Sequence, residues 1–193
     1  MKLFGSQTSP YVRRIRLLLK DHPYELVKLN ISELKDRKIL KQVSPILKIP
    51  VLQDENTIIW DSRQIFRYLQ QKGFHSELTW EEENFLTAID AINDSLIQLF
   101  LLEKNGLTPV ELKNYHSANH ERVLESLHFL ETETSKNSFS SWSYPSISLY
   151  SLIDWIQFRE RQDLSRFENL LRWFNDSQTQ QDPKLLKLTD PRF

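Results

Sequence analysis

Along the first seventy or so residues, the apolar positions alternate between short runs and stripes at helical spacing. From about residue 79 onward only the helical spacing persists. Lys2 to Gly5 is a short apolar run and reads as a strand. Pro10 to about Asp21 carries Val12, Ile15, Leu18 and Leu19 on one side and is stopped by His22-Pro23, which predicts a helix. Tyr24 to Leu29 reads as a second strand, and Ser32 to Val43 as a short basic helix with weak periodicity. Pro50 to Gln53 and Thr57 to Trp60 flank Asp54-Glu-Asn56 and predict a hairpin. Asp61 or Ser62 then caps a helix with Ile65, Phe66 and Leu69 inward, closed by Gly73.

The second half reads as long helices. Thr79 and Glu82 have capping-box spacing, and Phe85, Ile89, Ile92, Leu96 and Leu99 follow up to Gly106. A second capping box, Thr108 with Glu111, opens a helix through Leu112, Tyr115, Val123, Leu127 and Leu130. Residues 134–145 are Ser-rich and read as a loop, Ser146 to Arg159 and Leu164 to Asn175 as two more helices, and the remainder as a polar tail. The element order β-α-β-α-β-β-α followed by helices predicts an α/β domain over residues 1–74 and an all-α domain over 79–193.

Composition narrows the chemistry. The net charge of −1 offers no sign of a nucleic-acid or anionic-membrane partner, and the longest apolar run, near Leu96 to Leu102, is short for a bilayer span. The chain reads as a soluble cytoplasmic protein. It contains no cysteine, so disulfides, thiolate metal sites and cysteine nucleophiles are excluded; any reacting sulfur belongs to a ligand.

The segment from Ser6 to Arg16 is the strongest chemical candidate. Ser9 suits an N-cap and Pro10 the first helical position, so the strand after Met1 turns directly into a helix whose free N–H groups favour anions. Ser9 serves equally well as a cap alone, and Thr8 is a competing hydroxyl. His116 and His120 are four apart on a helix, a spacing open to a metal, but no third ligand has matching spacing. Glu81, Glu82 and Glu83 suit a first helical turn. Arg13, Arg14 and Arg16 read as a solvated face, and Trp142, Tyr144, Trp155 and Trp173 as core.

Four segments in order resemble the cytosolic glutathione S-transferase family, over nearly the whole chain. They are Gly5 to Arg14, like the start of small bacterial serine-type members; Ser44-Pro-Ile-Leu-Lys-Ile-Pro-Val-Leu52, similar to the family's NPxGKVPVL; Trp60 to Leu69; and Leu152 to Arg159 with Phe167 to Trp173 and Thr189-Asp-Pro191. The resemblance implies a thioredoxin-like N-terminal domain followed by a helical C-terminal domain, and glutathione as co-substrate without a metal. It implies Ser9 as the catalytic contact to the glutathione sulfur. Ile49 would pair with the cysteinyl backbone before a cis Pro50, and Asp61 and Ser62 would hold the γ-glutamyl end. Lys35 or Lys48 would reach the glycine carboxylate, and Tyr11 with the helix after Thr79 would line the site of a small hydrophobic electrophile. A homodimer is implied as well. Serine in the slot that cysteine occupies in the thioltransferase branches disfavours mixed-disulfide chemistry. Two departures stand out: Leu47 replaces the glycine before Lys-(Val/Ile)-Pro, and Ser146 replaces the capping-box aspartate expected after Ser143. A non-catalytic adaptor resembling stringent starvation proteins is the alternative.

Overall fold

The computed structural model describes residues 1–107 and 113–192. It divides into two compact units: Met1–Glu77 joined by the chain from Gln181 onward, and Leu78–Gln180.

In the first unit, β1 (Lys2–Gly5), β2 (Glu25–Lys28), β3 (Val51–Asp54) and β4 (Thr57–Trp60) form one sheet in the order β2-β1-β3-β4. β1 and β2 are parallel, because α1 (Pro10–Leu18) supplies the crossover, and β3 pairs antiparallel with both β1 and β4. Alternation along β1 sends Phe4 to one face and Leu3 to the other. Phe4 packs with Leu29, Leu40 and Val51, and with the half-buried Val27, Val43, Leu47 and Ile49, so α2 (Leu34–Val43) covers that face. Gly5 shares the face of Leu3. A Cβ there would stand 2.4 Å from a Val12 methyl, which shows how closely α1 approaches the strand. α3 (Ser62–Gln71) packs on α1, β3 and β4 through the buried Ile65, Phe66 and Leu69. Gly73 closes it at φ +76°, with the Phe74 amide donating to the Leu69 carbonyl.

The β3–β4 hairpin closes on Glu55-Asn56, since Asp54 pairs with Thr57. The Asp54 carboxylate accepts from Tyr68 Oη at 2.8 Å and from the Lys72 ammonium, fastening the hairpin to α3. The Lys72 hydrogen bond, helped by Tyr68, outweighs burial and lowers the Asp54 pKa from its ordinary value.

In the second unit, α4 (Trp80–Lys104) packs on α5 (Lys113–Ser135) and α6 (Tyr144–Arg159), and α7 (Glu168–Gln180) packs on α5 and α6. The capping box at Thr79 forms in both directions: its Oγ1 accepts from the Glu82 amide and its amide donates to the Glu82 carboxylate. Phe85, Ile89, Ile92, Leu96 and Leu99 are buried as expected, as are Val123, Leu127 and Leu130 of α5. Tyr115 is exposed, and the proposed capping box at Thr108 lies outside the described residues. α4 is long and apolar enough to cross a membrane by length and composition; its core residues, packed against α5 and α6, mark it as a core helix.

Several expectations shift. α1 ends at Leu18, three residues short of Asp21. α7 begins at Glu168, because Asp163 instead accepts from the Ser165 amide in a turn and Glu131 of α5 receives the Asn169 and Leu170 amides, each at 2.9 Å. Ser143 makes no side-chain cap bond, and Ser146 Oγ donates to the Ser141 carbonyl at 2.6 Å. The polar tail contains a helix, α8 (Pro183–Thr189), capped by Asp182 and packed on α1. Arg13, Arg14 and Arg16 are buried rather than solvated. Arg16 donates to the Leu188 carbonyl at the end of α8, so that helix shields part of the face that periodicity left polar.

Two outcomes are expected. Gly5→Ala destabilises the protein by about 1–3 kcal/mol through overpacking against Val12; in urea unfolding, Gly5→Ala with Val12→Ala loses less than the sum of the single variants. Asp54 has a lowered folded-state pKa, so its contribution is present above its unfolded value of about 3.9 and is lost as pH falls through the folded one. The stability gap between the native chain and Asp54→Asn, measured from neutral pH downward, therefore closes only in the acid range.

Candidate functional site

Strand register decides what comes together. Phe4 pairs with Val51, and Val51 with Trp60. The residues just outside those pairs are Gly5, Pro50 and Asp61, so the turn into α1, the Ile49–Pro50 peptide and the start of α3 lie side by side at one end of the sheet. Neighbouring strands are about 4.8 Å apart, so β1 and β4, flanking β3, are separated by roughly 10 Å.

At the β1 side, Ser9 is half-buried with extended backbone and caps α1: its Oγ accepts from the Val12 amide at 3.3 Å. That contact uses a lone pair and leaves the hydroxyl proton for another acceptor. Thr8 Oγ1 lies 3.1 Å from Ser6 Oγ, a local hydroxyl pair within the same turn. The guanidinium of Arg14 stacks over the half-buried Tyr11 ring at 4.5 Å.

In the middle, the Ile49–Pro50 bond is cis, Pro50 is buried and Ile49 half-buried. Leu47 adopts φ +53°, so a branched side chain holds the left-handed conformation natural to the glycine it replaces. Its packing on the cluster around Phe4 and Leu40 offsets that strain. The Trp60 indole N–H donates to the Val43 carbonyl at 2.7 Å, tying the end of α2 to the strand that delivers Asp61; nothing in the residue pattern signals this tether.

At the β4 side, Asp61 is exposed at φ +72°, ψ +139°, outside the regions comfortable for a residue with a Cβ. Its carboxylate accepts from the Arg63 amide at 2.8 Å, making Asp61 the N-cap and Ser62 the buried first helical residue. α1 and α3 thus both open toward this end of the sheet. Lys48 is exposed beside Ile49. Lys35 is exposed and pairs with Glu33 at 3.0 Å, each stabilising the other's charged form through that hydrogen bond.

This arrangement has known counterparts. The family model for the glutathione S-transferase N-terminal domain matches residues 3–76. Glutathione S-transferase hmp2 of Hypomyces subiculosus is 37% identical to the chain over 73 residues, 37% of this chain and 34% of that protein. A stringent starvation protein A homolog of Haemophilus ducreyi is 30% identical over 80 residues, 40% of this chain and 36% of that protein. The matches thus span about a third of these curated relatives. Over the whole length, the fold resembles a glutathione S-transferase of Methylobacillus flagellatus solved with glutathione bound, at a TM-score of 0.84, 98% coverage of both chains and 19% identity. The glutathione S-transferase fold, a thioredoxin-like domain followed by helices, is therefore common to both.

For the first unit, Asp61→Ala is expected to cost about 0.5–2 kcal/mol by removing the cap. Asp61→Gly should cost less, since glycine adopts a positive φ without strain. Paired urea denaturation curves check this.

Proposed function

We propose that the protein binds glutathione along this end of the sheet and activates its thiol for attack on a small hydrophobic electrophile. The observation that carries the reading is the register row. An extended tripeptide spans roughly 10 Å, about the separation between β1 and β4. Laid across it, the sulfur meets Ser9, the cysteinyl backbone meets Ile49 beside Pro50, and the γ-glutamyl carboxylate meets Asp61 and the α3 N-terminus at Ser62. Lys48 is the better placed candidate for the glycine carboxylate, since Glu33 already engages Lys35.

The energetics are sufficient. A free thiol has a pKa of about 8.5. Lowering it by about two units takes roughly 2.7 kcal/mol. A hydrogen bond to a charged acceptor supplies about 1.5–3 kcal/mol, and a helix terminus about 0.3–1 kcal/mol more. Ser9 meets the geometric requirement because its capping contact accepts and its proton can still be donated. Thr8 is the weaker candidate, being engaged with Ser6. Tyr11, the second residue of α1, contributes to the electrophile site. The active unit is a homodimer in this reading, and conjugation or isomerisation is its reaction class. The similarity to a stringent starvation protein A homolog supports the second reading, an adaptor of the same fold acting through protein contacts.

Ser9→Ala is expected to lower turnover with a model electrophile about 10- to 100-fold, the loss of one charged hydrogen bond, with retention on immobilised glutathione nearly unchanged. Unchanged turnover removes Ser9 from the mechanism. A folded native chain that is neither retained nor active favours the adaptor.

A further inference from the structure

The chain is nearly neutral overall, but its charge is unevenly placed. Residues 33–48 hold five cations, Lys35, Arg37, Lys38, Lys41 and Lys48, against two carboxylates, Glu33 and Asp36. Both carboxylates are spent locally: Glu33 on Lys35 and the Asn30 amide nitrogen, Asp36 on the Asn30 backbone N–H at 2.7 Å. Among the described residues, Arg37, Lys38 and Lys41 of α2 and the following Lys48 have no carboxylate within ion-pair distance, and all four are exposed.

Helical geometry sorts α2 into two faces. Leu40 is buried and Val43 half-buried against the sheet. Leu34, Arg37, Lys38 and Lys41, at i, i+3, i+4 and i+7, form the outward stripe. Leu34 is 79% exposed on it; Ile39 of the same helix, Ile31 just before it and Ile46 just after it are exposed at 39%, 38% and 52%. Single exposed aliphatics are ordinary, but four within sixteen residues, interleaved with unpaired cations, are not.

We infer that the outward face of α2 is a docking surface for an anionic lipid bilayer. The cations match the negative headgroup layer, and the four aliphatic side chains enter its acyl boundary. Charge complementarity alone would also suit a nucleic acid, but segment 28–48 carries no aromatic to stack on a base, and nucleic acid offers aliphatic side chains no apolar layer. A bilayer satisfies both halves of the pattern. The whole-chain charge, which gives no hint of a membrane, averages this patch away. The inference does not depend on glutathione binding.

The test is co-flotation of the full chain with vesicles of phosphatidylglycerol and phosphatidylcholine, against phosphatidylcholine alone, at roughly 0.05 and 0.5 M salt. Capture is expected only on the anionic vesicles at low salt. The double variant Lys38→Glu, Lys41→Glu should weaken it about tenfold or more. Leu34→Asp should weaken it further than the added charge on a distant control, Lys184→Glu, with circular dichroism confirming that each variant is folded. No capture, equal capture on neutral vesicles, or capture indifferent to the α2 variants overturns the proposal. So does binding to polyglutamate or duplex DNA in place of vesicles, which would assign the face to a soluble polyanion.

Discussion

The antiparallel pairing of β3 with both β1 and β4 is the constraint on which the site rests. Phe4, Val51 and Trp60 stand in one row, and a slip of one residue in either pairing would turn every side chain of a strand to the wrong face. The row is fixed from both sides. Phe4 and Val51 belong to the cluster under α2, while Leu3 and Leu52 are fully buried on the opposite face. Because burial sets the register, it also sets which residues emerge at the sheet's end. The site is thus a consequence of the core.

The local stresses at that end follow from the same arrangement. Asp61 and Leu47 both adopt positive φ without being glycine, and each is held by neighbours: Asp61 by its bond to the Arg63 amide, Leu47 by its packing on the cluster under α2. Strain of this kind persists only where surrounding contacts determine it, and it often marks a working surface.

Much of the fold was legible because the relevant physics is local. Strands β1 to β4, the Thr79 capping box, the Gly73 closure and the apolar faces of α1, α3 and α4 follow from spacing and caps. What sequence missed depends on distant partners. The start of α7 is set by Glu131, some forty residues earlier; the burial of Arg16 depends on α8, near the other end of the chain. Helix α8 itself carried a signal, Asp182-Pro183 before Leu185, Leu186 and Leu188, hidden by its polar surroundings. At the site, the motif order pointed to Ser9, Pro50 and Asp61, but only the register shows that they share one edge. The tether from Trp60 to Val43 left no trace in the pattern.

The contact between Arg16 and the Leu188 carbonyl has a consequence for how the molecule is made. The first unit draws one of its helices from residues that follow the helical unit, so a ribosome that has completed residue 77 has not yet supplied everything that unit contains. Until α8 arrives, that side of α1 lacks its cover, and the helical unit has the chance to fold in the interval. Completion of the first unit is therefore coupled to synthesis of α8, which follows the helical unit in the chain.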